Sequence, residues 1–244
     1  MSGAIPERAV ELLGEVRRRR PRIHCLMNGV VPKFVADGLS ALSAIPSMTS
    51  SPEEVGHFVA KADALLVNLG TLDAQRREAI GIAVDVADEK GRPWALDPAH
   101  CDYSPPRAAF AQELLARGPA VLRANAAEYD LLAVPADVVA VRTGKADRIA
   151  WNGAVLHVEN GHPLTALVTG TGCLSGAVIA AFLAVEADPF LAASAAMLVF
   201  GIAAEMAGKT ATGPGSFEPA LLDALASLEG THILQFARVD HEQG

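Results

Sequence analysis

Four consecutive residues, Gly170, Thr171, Gly172 and Cys173, lie within the run VTGTGCLSGAVIAAFLA between Val168 and Ala184. Glycines without β-carbons let main-chain N–H groups approach an anion closely, and a helix starting there adds partial positive charge. The chemistry such a stretch offers is the holding of a phosphate while it is transferred. A thiol in the first turn of that helix is expected to have a lowered pKa. The competing reading is a small cysteine packed behind a helix start, and the spacing alone does not separate the two.

Further polar residues stand where short apolar runs end. They are Asn68, Gly70 and Thr71; Asp97; Arg123, Asn125 and Glu128; and Thr143 with Gly144. A polar residue at one strand end is commonly a helix cap. Four such ends in succession point instead to a ligand.

The elements that would position these residues can be read from the pattern. Ala64–Gly70, Pro93–Asp97, Ala120–Ala124 and Asp137–Gly144 read as strands. Helical periodicity follows the first three, over 73–89, 105–116 and 126–133, with Asp73 as a cap and Ser51 as the cap of the preceding helix. From Gly172 to Leu228 the chain reads as nearly all helix. Strand–helix alternation predicts an α/β fold with a parallel-rich central sheet and helices on both faces, and ligands on such sheets bind beyond the strands' carboxyl ends. With no repeat or linker, residues 1–244 are expected to form one domain.

Composition narrows the function. The 20 basic and 28 acidic residues give a net charge of −8, which argues against nucleic acid as a partner. The basic cluster RRRRPR, Arg17–Arg22, reads as the end of the first helix, complementing its dipole. Cys25, Cys101 and Cys173 form no disulfide framework or metal pair, and the opening segment is charged throughout, so a reducing, cytoplasmic setting without a signal peptide is expected. The longest apolar run, Leu191–Ala207, is alanine-rich and interrupted by Glu205, and reads as a buried helix rather than a membrane span.

Several separate motifs, in order, carry a resemblance. PRIHCLMNGVVPKFVADGLSALSAIPSMTSSPEEV, NLGTLD, LRANAAEYD, GHPLTALVTGTGCLSGAVIAAFLAV and TGPGSFEPALLDAL together resemble the hydroxyethylthiazole kinase family of the ribokinase-like superfamily, over about Pro21 to Leu228. The resemblance implies ATP-dependent phosphorylation of the hydroxyl of 4-methyl-5-(2-hydroxyethyl)thiazole in thiamine salvage. It implies Asn28, Met48, Gly70 and Gly172 at the thiazole, converging on one cleft, and Arg123, Thr143, Gly170 and Thr171 at the nucleotide and its phosphates. It further implies Asp97 and Glu128 at Mg²⁺, Cys173 as the group facing the substrate hydroxyl, and a homotrimer with the site at a subunit boundary. The types fit: an arginine fork suits phosphate oxygens, and a few hard oxygen ligands suit Mg²⁺ on a nucleotide.

Two departures from the family pattern stand out. The glycine-rich loop expected after Asp97 is here DPAHCDYS, so Ala99, His100, Cys101 and Asp102 add bulk and charge near the expected phosphates. His100, Cys101 and Asp102 are sequence neighbours, and a nucleophilic triad needs residues that converge from separate segments. In addition, only Val134–Asp137 bridges from the segment of Glu128 to that of Thr143, where the family carries a loop and a helix, and Lys145 replaces an acid. These departures keep open two other readings: a ribokinase-like kinase of another small heterocyclic alcohol, such as a hydroxymethylpyrimidine, and a catalytically weak ligand-binding paralogue.

Overall fold

The computed structural model describes residues 4–242. The first half alternates helix and strand: α1 (Ala4–Arg19), β1 (Arg22–Leu26), α2 (Pro32–Ala41), β2 (Ile45–Ser47), α3 (Val55–Lys61), β3 (Ala64–Asn68), α4 (Ala74–Glu89), β4 (Trp94–Asp97), α5 (Pro105–Leu115), β5 (Val121–Asn125) and α6 (Ala126–Tyr129). Then come β6 (Val139–Thr143), β7 (Asp147–Trp151), β8 (Ala154–Val158), α7 (Thr171–Leu183), α8 (Pro189–Thr210), α9 (Pro214–Ser227), α10 (Gly230–Phe236) and β9 (Val239–His241).

The strands form one sheet in the order β2-β1-β3-β4-β5-β6-β7-β8-β9. Pairings from β2 through β6 are parallel, and those from β6 to β9 are antiparallel. The expected parallel-rich sheet with helices on both faces is therefore present. Side-chain alternation along β3 divides the core: Ala64 and Leu66 pack with α1, α2, α7 and α8, whereas Leu65 and Val67 pack with α3, α4 and α5. A central strand buried on both faces has no polar side, which is why ALLVN reads as a continuous apolar run.

Because β2 through β6 run in parallel, their carboxyl ends share one edge of the sheet. Asn68 pairs with Asp97 and Asn125 with Thr143, so these strand-end residues lie side by side. The α7 helix packs over β1, β3 and β4 and brings its first turn to the same edge. Its next neighbour, α8, is the one helix among the described residues long and apolar enough to cross a membrane, but 78% of its apolar window is buried within the fold.

Some local expectations require correction. The helix expected over 126–133 is the single turn α6, ending at Tyr129. Residues 130–138 form the bend that the short Val134–Asp137 connection permits. Ser51 does not cap α3 with its side chain; its carbonyl accepts from Glu54 and Val55 in a preceding turn. Asp73 does cap α4, accepting from the Arg76 N–H at 2.8 Å. The basic cluster does close α1, and Arg17 does more than meet solvent: its guanidinium donates to the carbonyls of Leu225, Ala226 and Leu228 at the end of α9.

Candidate active site

The glycine–threonine–glycine–cysteine stretch begins α7 as expected. Gly170 is the N-cap, at φ 97°, a left-handed conformation that disfavours any side chain. Gly172 serves differently. It is helical, and a β-carbon there would lie 2.7 Å from Nη2 of Arg123, so its bareness makes room for the guanidinium. The first turn of α7 has main-chain N–H groups without i−4 acceptors, and they lie beside this arginine.

Arg123 stands at the centre of the edge. Nη2 donates to Thr143 Oγ1 at 3.4 Å, Nη1 lies 4.0 Å from Asp97 Oδ1, and Nε is buried without a partner. Asp97 is 1% exposed; Oδ2 accepts from Asn68 Nδ2 at 2.8 Å, while Oδ1 is buried with no hydrogen-bond partner. Burial pushes the Asp97 carboxyl above its ordinary range, Arg123 pulls it back, and the charge of Glu128 adds to the rise. A buried anion with a vacant oxygen next to an under-used guanidinium can receive a cation and a phosphate together.

Glu128 is buried and engaged on both oxygens. Oε1 accepts from the His100 N–H at 2.8 Å and Oε2 from the Asn125 N–H at 2.9 Å, completing a capping box with Asn125. It thereby fastens the altered 99–104 loop to β5. His100 takes the left-handed conformation itself, at φ 60°, so a glycine is not needed for that turn. Ligand atoms of His100, Asp102 and Glu128 lie within 4.8 Å of one another.

Cys173 faces the other side of the same edge. Its sulfur accepts from Asn28 Nδ2 and Asn68 Nδ2, each at 3.4 Å. The expected lowering of its pKa does not hold: burial pushes the thiol up to about 12, Asp97 adds to the rise, and Arg123 and the two amides only partly oppose it. Loss of water around the sulfur is the largest cause of the rise, because it penalises the charged thiolate.

A cleft of about 840 Å³ lies on the Arg123 side, lined by Thr143, Thr171 and Gly172 among others. Asn28, Met48 and Gly70 are not among the residues lining it, and Asn28 reaches the neighbourhood of Gly172 through Cys173. Asn28 and Gly70 meet beside Cys173, because a β-carbon on Gly70 would lie 2.6 Å from that of Asn28. Gly172 belongs to the neighbouring cleft. Met48 follows β2 on the same edge, half-buried against the core and separated from β3 by β1. The Thr171 hydroxyl donates to the carbonyl of Thr165 at 2.7 Å and so closes the preceding loop.

Two residues outside the expected set hold the edge together. Asn68 touches Asn28, Asp97 and Cys173 at once. Arg76 reaches back from α4 to the carbonyls of Met27 and Asn68 and to the Ser50 hydroxyl, tying the ends of three strand segments. Asn68 had a signal, a polar residue closing an apolar strand; Arg76 had none beyond its place in a helix. On the cleft wall, Asp147 accepts from the Gly144 N–H and is pushed up to about 6 by burial, and Lys145 adds a positive charge.

Comparison with known proteins bears on the family and the fold. The family model described as the hydroxyethylthiazole kinase family matches residues 13–136 and 129–231. The two matched segments meet at 129–136, where the connection to β6 is short. A probable hydroxyethylthiazole kinase of Agrobacterium fabrum is 54% identical over 246 residues, covering 100% of both chains, so it shares this economy of length. The solved structure of the hydroxyethylthiazole kinase protein from Pyrococcus horikoshii OT3 superposes with a TM-score of 0.92 at 34% identity, over 96% of this chain and 99% of that one. A ribokinase-like superfamily protein from Enterococcus faecalis, 15% identical, matches with a TM-score of 0.54 over 90% of this chain and 95% of that one, which speaks to the fold alone. A family match spanning most of the chain and a fold matched almost end to end place it beyond the fold class: the chain belongs to the hydroxyethylthiazole kinase family.

Proposed function

We propose that this chain, acting as one domain, transfers the γ-phosphoryl group of ATP to the hydroxyl of 4-methyl-5-(2-hydroxyethyl)thiazole in thiamine salvage. The observation that carries the reading is the junction of Arg123, the bare Gly172 and the first turn of α7, with Cys173 on the adjoining side. Arg123, Thr143 and the first turn of α7 from Gly170 through Cys173 receive the phosphates, the Thr171 N–H turning from its long 3.5 Å bond to the Val168 carbonyl. Asn28, Gly70 and Met48 hold the heterocycle, with Gly172 at the boundary between the two ligands. The fit for a cation rests on the vacant Oδ1 of Asp97: Asp97 and Glu128 would hold Mg²⁺, which neutralises charge on the nucleotide phosphates.

In the transfer, the alcohol oxygen forms a bond to γ-phosphorus as the bond from phosphorus to the β–γ bridging oxygen breaks. Cys173 touches the attacking hydroxyl. Its sulfur is a thiol in the resting protein, so the alcohol proton is not drawn off in advance; it leaves late, to a phosphoryl oxygen or solvent, as a loose transition state allows. Positioning and charge stabilisation then supply the larger part of the rate.

The protein works in the cytoplasm as a homotrimer whose second chain completes the thiazole side. Support for a second chain there comes from Val30, an apolar side chain 75% exposed next to Asn28's turn. The test is incubation of the purified protein with ATP, Mg²⁺ and the thiazole alcohol, with detection of the phosphate ester and ADP. Phosphorylation of a hydroxymethylpyrimidine in preference to the thiazole alcohol would overturn the substrate. Thiazole binding with no ester formed would mark a ligand-binding paralogue, the outcome that the rebuilt 99–104 loop most favours.

A thiol held up by burial has a readable signature. Cys173 is the one partly exposed cysteine, whereas Cys25 and Cys101 are buried, so it is alkylated first. Its thiolate fraction grows about tenfold per pH unit below the pKa, so the rate keeps climbing up to about pH 10 with no plateau. Mass-spectrometric mapping follows this, and the thiazole alcohol slows it. A plateau near the ordinary thiol pKa would show an unperturbed or activated thiol. Cys173→Ser lowers kcat by less than about tenfold at little cost in KM, and Cys173→Asp, whose side chain gives up its proton far more readily than the thiol, retains or raises activity.

A further inference from the structure

We infer that Asn68 is a positioning residue for the transfer, its carboxamide locking Asn28, Asp97 and Cys173 into one hydrogen-bonded unit. This rests on the kinase reading above and extends it to a residue that meets neither ligand. The side chain is wholly buried at the end of β3. A carboxamide has two N–H hydrogens and an oxygen with two lone pairs, hence four bonds at most. Asn68 has four partners. Nδ2 donates to Asp97 Oδ2 at 2.8 Å and to Cys173 Sγ at 3.4 Å, while Oδ1 accepts from the Gly70 N–H at 3.0 Å and from Asn28 Nδ2 at 3.4 Å.

Which end of the amide is oxygen follows from chemistry. The Gly70 main-chain N–H can only donate, so it demands Oδ1, and the amino end must then face Asp97 and Cys173. Asn28 is oriented by the same logic, since its Oδ1 accepts from the Val30 N–H at 2.9 Å and leaves Nδ2 for Asn68 and Cys173. Two consequences follow. Oδ2 of Asp97 is held at Asn68, which leaves Oδ1 as the oxygen turned toward Arg123. The Cys173 sulfur takes two N–H bonds on its inner side, which leaves its own S–H for the substrate. Below, Arg76 fixes the Asn68 carbonyl at 3.0 Å, so the whole unit stands on rigid main chain.

The experiment compares the full-length protein with Asn68→Asp and Asn68→Ser. Asn68→Asp keeps the shape and loses both amide hydrogens, and it sets a second carboxylate against Asp97. It should lower kcat by about 100-fold with both KM values within about threefold, because the loss falls on alignment in the transition state. Asn68→Ser keeps one donor and should fall between. Cys173 alkylation supplies a readout independent of substrate: at about pH 8.5, loss of the N–H donor and gain of a nearby negative charge slow it by about tenfold in Asn68→Asp. Melting temperatures report folding, and Asn68→Ser serves if the aspartate variant does not fold. Parent-like kcat, KM values that rise in step with a lost melting temperature, or unchanged thiol reactivity would each overturn the inference. If the parent itself makes no thiazole phosphate, the kinase reading fails, and the alkylation rates still decide whether Asn68 holds Cys173 and Asp97 together.

Discussion

Replacing Asp97 with asparagine should lower kcat by roughly two to four orders of magnitude while leaving the KM for the thiazole alcohol nearly unchanged. The substitution is isosteric, so the reason lies in donors and acceptors. Asn68 presents an N–H to Oδ2, so the new side chain must place its carbonyl oxygen there. Its amino group then occupies the place of Oδ1, pointing two more N–H groups toward the guanidinium of Arg123 and any cation beside it. An oxygen that was vacant and negative becomes a donor facing donors. Folding is affected far less. Burial raises the Asp97 pKa above its unfolded value, so the stability it contributes is present in acid and is lost as pH rises through that raised value. Burial disfavours the charged carboxyl, a cost that the uncharged asparagine does not carry, partly offset by the less well balanced Arg123. Steady-state kinetics with a melting curve measure both. A variant with the parent's kcat would remove Asp97 from the transfer.

How much of this arrangement was legible in the sequence depended on the kind of signal. The strands β3 to β6 could be read because a parallel strand buried on both faces leaves an unbroken apolar run with a polar residue at its end. The antiparallel strands β7 and β8 carry Arg148, Trp151 and His157 on half-buried faces, which dilutes any alternation. Their turn did have a signal, the Asn152–Gly153 pair, and both residues adopt positive φ, at 48° and 83°. The site divides the same way. Residue types at strand ends marked Asp97 and Arg123, and motif order marked Gly172 and Cys173. The state of the thiol could not be read. It depends on how much water the fold removes from the sulfur and on an aspartate 76 positions earlier, and a helix start in the sequence reports neither. The number of bonds on Asn68 was equally hidden, since its four partners come from four separate positions between Asn28 and Cys173.

Gly172→Ala should separate activity from stability at the opening of α7. Gly172 has no positive φ to protect, so backbone strain adds nothing there and the melting temperature should fall far less than the activity. The new β-carbon would nonetheless lie 2.7 Å from Nη2, 2.9 Å from Nη1 and 3.0 Å from Cζ of Arg123. No real contact is that short, so the guanidinium must move away from Thr143 and Asp97. It is boxed in by Thr143 Oγ1 and only 13% exposed, so the shift takes it off the line to the incoming phosphate. A displacement of about 1 Å at such a group costs up to about 100-fold in rate, and it should appear in kcat/KM for ATP. Gly170→Ala provides the contrast. There φ is 97° and the added carbon would lie 2.6 Å from Val31 Cγ1, so strain and overpacking together should cost about 2 kcal/mol or more of stability. One glycine of the pair is required by the chain's own path and the other by the arginine beside it. If Gly172→Ala binds and turns over ATP as the parent does, Arg123 is not the group that receives the phosphate.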